Sequence, residues 1–63
     1  MKYVVAYTDE NNQREFVECN TKKMAEALFE RAKKIREYHE HGVFLDTMDE
    51  DSDLVDYKSY YGR

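Results

Sequence analysis

Residues 2–19, Lys2-Tyr3-Val4-Val5-Ala6-Tyr7-Thr8-Asp9-Glu10-Asn11-Asn12-Gln13-Arg14-Glu15-Phe16-Val17-Glu18-Cys19, decide the fold. β-Branched and aromatic residues fill 2–8, with Tyr3, Val5 and Tyr7 on one face and Val4, Ala6 and Thr8 on the other, which is the two-residue period of a strand. Neither face is strongly polar, and this suits an inner strand. Asp9-Glu10-Asn11-Asn12 is a turn signal. In 13–19, Arg14, Phe16 and Glu18 alternate with Glu15, Val17 and Cys19. This second, more polar strand suits a sheet edge, where charges deter unwanted pairing. The two strands form a β-hairpin with a loop of about four residues.

Beyond Cys19 the period changes. Asn20 or Thr21 caps a helix. With Asn20 as the cap, Cys19 and Met24 take the two positions of a hydrophobic staple. The pattern predicts a helix to about His41, with Gly42 as terminator. At about 100° per residue, one broad apolar side runs from Met24, Ala25 and Ala27 through Leu28, Phe29 and Ala32 to Ile35 and Tyr38, with Leu28 and Ile35 near its centre. Glu26, Glu30, Lys33, Lys34, Glu37 and Glu40 form the solvated side, and Glu30 to Lys34 has the favourable acid-first order. Arg31 falls by angle inside the apolar side. Its stem lies along apolar surface with its head at the rim, or it pairs with an acid of 46–56, or it takes part directly in partner binding.

Val43-Phe44-Leu45-Asp46-Thr47-Met48 reads as a third strand and Asp49-Glu50-Asp51-Ser52 as a turn. Residues 53–60 alternate weakly and read as a fourth strand or as an ordered tail. The expectation is an α+β fold, ββαββ, within a single domain, 1–63. A right-handed crossover gives an antiparallel-rich sheet of three to four strands in the order 2-1-3-4, with the long helix on one face. One helix covers only one face. Whichever alternate set points away from it, aromatic groups stay exposed, and contiguous exposed apolar surface marks an interface. Tyrosine suits such a place because its ring buries area while its hydroxyl stays hydrated.

Charge is unevenly spread. Residues 1–45 hold eight acidic and eight basic side chains, whereas 46–63 hold six acidic and two basic, so the net −4 lies in this acidic, tyrosine-bearing C-terminal segment. Acid interleaved with tyrosine suits docking on a larger protein with a basic or mixed surface. The residues expected to carry it are Asp49, Glu50, Asp51, Asp53 and Asp56 for charge and Tyr57, Tyr60 and Tyr61 as aromatic anchors. In a strand, alternate carboxylates stand about 6.6 Å apart, close to the roughly 7 Å between successive phosphates of one DNA strand, so a partial nucleic-acid mimic is a further possibility. An acidic surface disfavours direct binding of nucleic acid or anionic lipid.

Size adds a second expectation. A domain of 63 residues buries only about 60% of the surface its unfolded chain exposes and is marginal alone. One cysteine, Cys19, excludes an internal disulfide and reads as a small buried hydrophobe. Self-association, as a homodimer or larger homo-oligomer with the open sheet face buried against its own copy, is the alternative to a regulator of another protein. No apolar run approaches the roughly 20 residues that span a bilayer, and the start is too short for a secretory signal. A free cysteine without such a signal points to the cytosol.

Catalytic and metal signatures are weak. Asp49, Asp51 and Asp53 hold the first, third and fifth places of a calcium-loop pattern. Leu54 stands where that loop needs glycine, and Tyr60 where it needs glutamate. His39 and His41, two apart on a helix, do not face each other. No base or oxyanion donor accompanies Cys19. The expectation is a non-enzymatic binding module without metal or cofactor. A short hairpin, one helix and a third strand, with an acidic tail, resembles the layout of many small proteins encoded by phages and mobile elements. That resemblance implies an accessory protein that regulates or inhibits a host enzyme by binding.

Overall fold

The computed structural model describes residues 1–9, 11, 13–34 and 42–61. It contains strands β1 (Lys2–Thr8) and β2 (Arg14–Cys19), helix α1 (Lys22–Lys34), and strands β3 (Val43–Met48) and β4 (Leu54–Tyr60). They form a four-stranded sheet in the order β2-β1-β3-β4, with every neighbouring pair antiparallel. This is the expected α+β layout, and 54–60 is a strand. β1, apolar on both faces, is central, and the charged β2 forms one edge. The central pairs put Val5 opposite Val17 on one side and Leu45 on the other.

Thr21 caps the helix: its Oγ1 accepts the Met24 N–H at 3.1 Å, which satisfies a backbone donor that the first turn leaves without a carbonyl. With Thr21 in that place the Cys19–Met24 staple does not form, and Met24 is 55% exposed. The buried stripe of α1 is Ala25, Phe29 and Ala32. It meets Val5, Cys19, Val43 and Leu45 of the sheet, with Tyr3, Tyr7, Val17, Leu28 and Tyr60 around the rim.

This stripe is narrower than the broad apolar side expected, and its centre lies elsewhere. Leu28 is half-buried, whereas Met24, Ala27 and Arg31 are exposed. The two buried alanines explain the difference, since small side chains let the helix lie close over the sheet along a narrow line, and Met24, about 100° around the helix from Ala25, falls outside it. Lys33, expected on the solvated side, is half-buried, with its Nζ 4.8 Å from the Tyr60 ring centroid and 5.6 Å from that of Phe29. Its alkyl stem covers apolar surface while its ammonium reaches the rim. Glu30 pairs with Lys33 at 3.4 Å rather than with Lys34. Among the described residues Arg31 makes no ion pair with 46–56. The helix reaches β4 instead through Glu26 and Lys58, 3.9 Å apart. Expectations for Ile35, Glu37, Tyr38, Glu40, the His39–His41 pair and the last turns of the helix fall outside the described residues.

The two hairpins turn by one device. Asp9 Oδ1 accepts the N–H groups of Asn11 and Gln13, each at 2.9 Å, and the Asp9 N–H donates to the Gln13 carbonyl at 2.8 Å. Forty residues on, Asp49 Oδ1 accepts those of Asp51 (2.9 Å) and Asp53 (3.0 Å), and its N–H donates to the Asp53 carbonyl at 3.0 Å. An aspartate thereby mimics the backbone acceptor of a turn. Because β1 and β3 run antiparallel, these two acidic loops point to opposite ends of the sheet.

Candidate protein-docking surface

The side chains that face away from α1 come from alternate residues of all four strands. Cross-strand pairing puts Ala6 between Phe16 and Phe44, and Val4 between Glu18 and Asp46, with Asp46 next to Tyr57. Met48 lies opposite Leu54. This face is not covered by the described chain: Phe16 is 69% exposed, Tyr57 65%, Tyr61 57% and Leu54 56%. Its charges, Lys2 and Arg14 against Glu18 and Asp46, balance, and Lys2 and Glu18 stand 3.9 Å apart.

One end of the face is rigidly built. Arg14 Nη1 donates to the Gly42 carbonyl at 2.9 Å and to Thr8 Oγ1 at 3.2 Å, and its guanidinium lies 5.2 Å from the Phe44 ring centroid. This ties edge strand β2 to the start of β3, and it satisfies the buried Thr8 hydroxyl. Tyr61 meets Phe44 edge-to-face, with centroids 5.6 Å apart and an interplanar angle of 83°. Gly42 takes φ +82°, and a Cβ there would stand 2.8 Å from the Tyr61 ring. Both the left-handed backbone and the packed ring require glycine at this position.

The structure divides the residues that the sequence marked for docking. Tyr57 and Tyr61 share the open face, Tyr61 at the Gly42 end, and Leu54 lies on it at the β3–β4 loop end, opposite Met48. Tyr60 does not: it lies on the helix side, half-buried against the core. Glu50, Asp51 and Asp53 form the exposed tip of the β3–β4 loop. Asp49 starts that loop and holds its backbone. Asp56 is exposed on β4, where its carboxylate accepts the Tyr57 N–H at 2.9 Å. One oxygen from each of Asp49, Asp51 and Asp53 lies within 4.8 Å of the others. That clustering departs from the extended pitch of about 6.6 Å that a row of phosphates would match. Phe16, Phe44 and Arg14 belong to the surface and were not among the expected site residues. The available signal was Phe16 itself, an aromatic on the otherwise charged Arg14–Glu18 face of an edge strand.

Asp49 therefore has a structural task, and its oxygen rather than its charge performs it. Asp49→Ala is expected to cost about 1–2 kcal/mol, as two exposed hydrogen bonds are lost, whereas Asp49→Asn keeps Oδ1 and costs little. Since about 1 kcal/mol moves the midpoint of a domain this size by roughly 4–8 °C, thermal unfolding of the two variants separates them. Equal midpoints would mean that the loop is held by something other than this acceptor.

Comparison of the chain with protein-family models, curated proteins and solved structures finds no match. No helix among the described residues is long and apolar enough to cross a membrane.

Proposed function

We propose that this protein is a non-enzymatic binding module that docks through the open face of its sheet on a larger, basic or mixed protein surface. The observation that carries the reading is the set Phe16, Leu54, Tyr57 and Tyr61, all exposed on one face. Aromatic side chains of this kind are the usual anchors of protein interfaces. The carboxylates of Glu50, Asp51 and Asp53 stand at one end of that face and act on encounter, by attracting positive charge over distance. Their clustering favours steering over imitation of a phosphate row. A regulator or inhibitor of a host protein, working in the cytosol, is the role that fits a small binding module of the phage accessory type.

The test begins with partner capture by the unmodified protein, followed by association kinetics with the partner recovered. Phe16→Ser with Tyr57→Ser removes two anchors and is expected to weaken binding about 30-fold or more, mainly through faster dissociation. Glu50→Gln, Asp51→Asn and Asp53→Asn together should slow association and flatten its salt dependence, because the screening length falls from about 10 Å at 0.1 M salt to 3 Å at 1 M. Unchanged binding by the serine variant would rule out the face, and salt-independent association of the unmodified protein would rule out the steering.

A second reading is a homo-oligomer that buries the same face against its own copy. The balanced charges of that face favour it, since two copies would meet there without net repulsion.

A further inference from the structure

Among the described residues the helix lies mainly over β1, β3 and β2, it reaches β4 only through side chains such as Glu26 and Lys58, and no further strand pairs with the outer edge of β4. From Leu54 to Ser59 every residue of β4 is exposed. The ladder with β3 pairs Thr47 with Asp56 and Met48 with Leu54, which leaves Val55 as an extra, bulged residue near the loop. Beyond it 56–60 is regular. In an antiparallel pair, residues alternate between turning their N–H and C=O toward the neighbour and away from it. The exposed Tyr57 N–H donates to Asp56 Oδ1, so Tyr57 is one of the residues whose backbone turns to the free edge.

We propose that the β4 edge is a self-recognition surface. Two copies pair β4 with β4 antiparallel about a two-fold axis at Tyr57, joining two four-stranded sheets into one of eight. Within the regular stretch 56–58 this register places Asp56 of each copy opposite Lys58 of the other, and it ends where the Val55 bulge begins. Centring the pairing on Asp56 would set two carboxylates face to face, and centring it on Lys58 would set two ammoniums face to face. Like charges directly opposite destabilise a sheet and opposite charges stabilise it, so charge selects the register at Tyr57.

The backbone balances as well. Each Tyr57 N–H leaves the Asp56 carboxylate for the Tyr57 carbonyl of the other copy, and the freed carboxylate turns to Lys58 across the axis. Lys58 is exposed, with its Nζ 3.9 Å from Glu26 and 5.0 Å from the Phe29 ring centroid; its stem can stay over the ring while the ammonium exchanges Glu26 for the carboxylate across the axis. The acidic loops do not oppose the pairing. In this register the two copies of Asp53 lie about 26 Å apart along the strands, far beyond the roughly 8 Å screening length at physiological salt. The helices stay on one side of the joined sheet and the two open faces become continuous on the other, so this inference does not use the face assigned above to docking.

Sedimentation equilibrium without any partner tests it. The unmodified protein should move from monomer to dimer as its concentration rises. Asp56→Lys and Lys58→Asp should each weaken dimerisation by roughly tenfold to a hundredfold, because each turns two attractive pairs into repulsive ones. An equimolar mixture of the two variants should recover the dimer, since each then supplies the charge the other lacks. For the unmodified protein, amide exchange at Tyr57 should slow as concentration rises, a readout that needs no variant. A monomer up to the solubility limit would overturn the proposal. So would a dimer indifferent to both substitutions, or one whose Tyr57 amide gains no protection; either outcome would move self-association to the open face.

Discussion

Phe29→Ala is expected to unfold the protein at room temperature. Phe29 is 2% exposed and is the one large side chain of the buried helix stripe, seated among Val5, Val43 and Leu45. The ammonium of Lys58 lies 5.0 Å from its ring centroid and that of Lys33 5.6 Å, so two flexible stems close the rim above it. Truncating a buried phenylalanine costs about 3–5 kcal/mol, and a core this small supplies about 3–5 kcal/mol in total. The loss is therefore comparable to the whole stability. Far-UV circular dichroism should show no cooperative melt for this variant. Leu28→Ala removes a half-buried side chain and should leave a cooperative melt at a lower midpoint. A Phe29→Ala protein that melts like the original would mean the core is centred elsewhere.

The sheet was legible because its strands obey a simple alternation broken by turn residues. β1 could be placed inside because neither of its faces is polar, and β2 at the edge because Arg14, Glu15 and Glu18 are charged. From those two placements the order 2-1-3-4 follows with the crossover rule. β4 was ambiguous for a physical reason. Both of its faces are exposed, so Asp56, Tyr57, Lys58 and Ser59 show no inside-outside contrast for a periodicity to register. The equivalence of the two hairpin loops was hidden because it rests on the acceptors Asp9 and Asp49, and the residues that follow them differ.

The docking surface was legible in part. That one sheet face would stay open followed from having a single helix, but which alternate set it carried did not. β1 and β3 are mostly apolar on both faces and cannot decide it. β2 decides it, because Val17 and Cys19 can face a helix and Arg14 and Glu18 cannot. Phe16 then has to be outside with the charges. Phe16 lies outside the acidic segment, so charge does not point to it. Tyr60 belongs to that segment with Tyr57 and Tyr61, but adjacent strand positions point to opposite faces and Tyr60 turns to the helix.

Ala25→Leu is expected to lower the unfolding midpoint by about 5–20 °C, and Ala27→Leu to leave it nearly unchanged. The pair isolates the face of α1, because the chemical change is the same in the same helix and leucine propagates a helix almost as well as alanine does. Ala25 is 0% exposed, and the sheet beneath it leaves no space for three more carbons. Overpacking of this kind costs about 1–3 kcal/mol, which at roughly 4–8 °C per kcal/mol gives the fall stated. Ala27 is exposed, and a surface substitution stays within about 0.5 kcal/mol. A hydrophobicity count treats the two alanines as equal members of one apolar side, along with Met24 and Leu28. The structure separates them by how closely each approaches the sheet, which a count of apolar residues does not measure. Matching midpoints for the two leucine variants would show that α1 can shift to admit the larger side chain, and that the narrow alanine stripe does not set its height above the sheet.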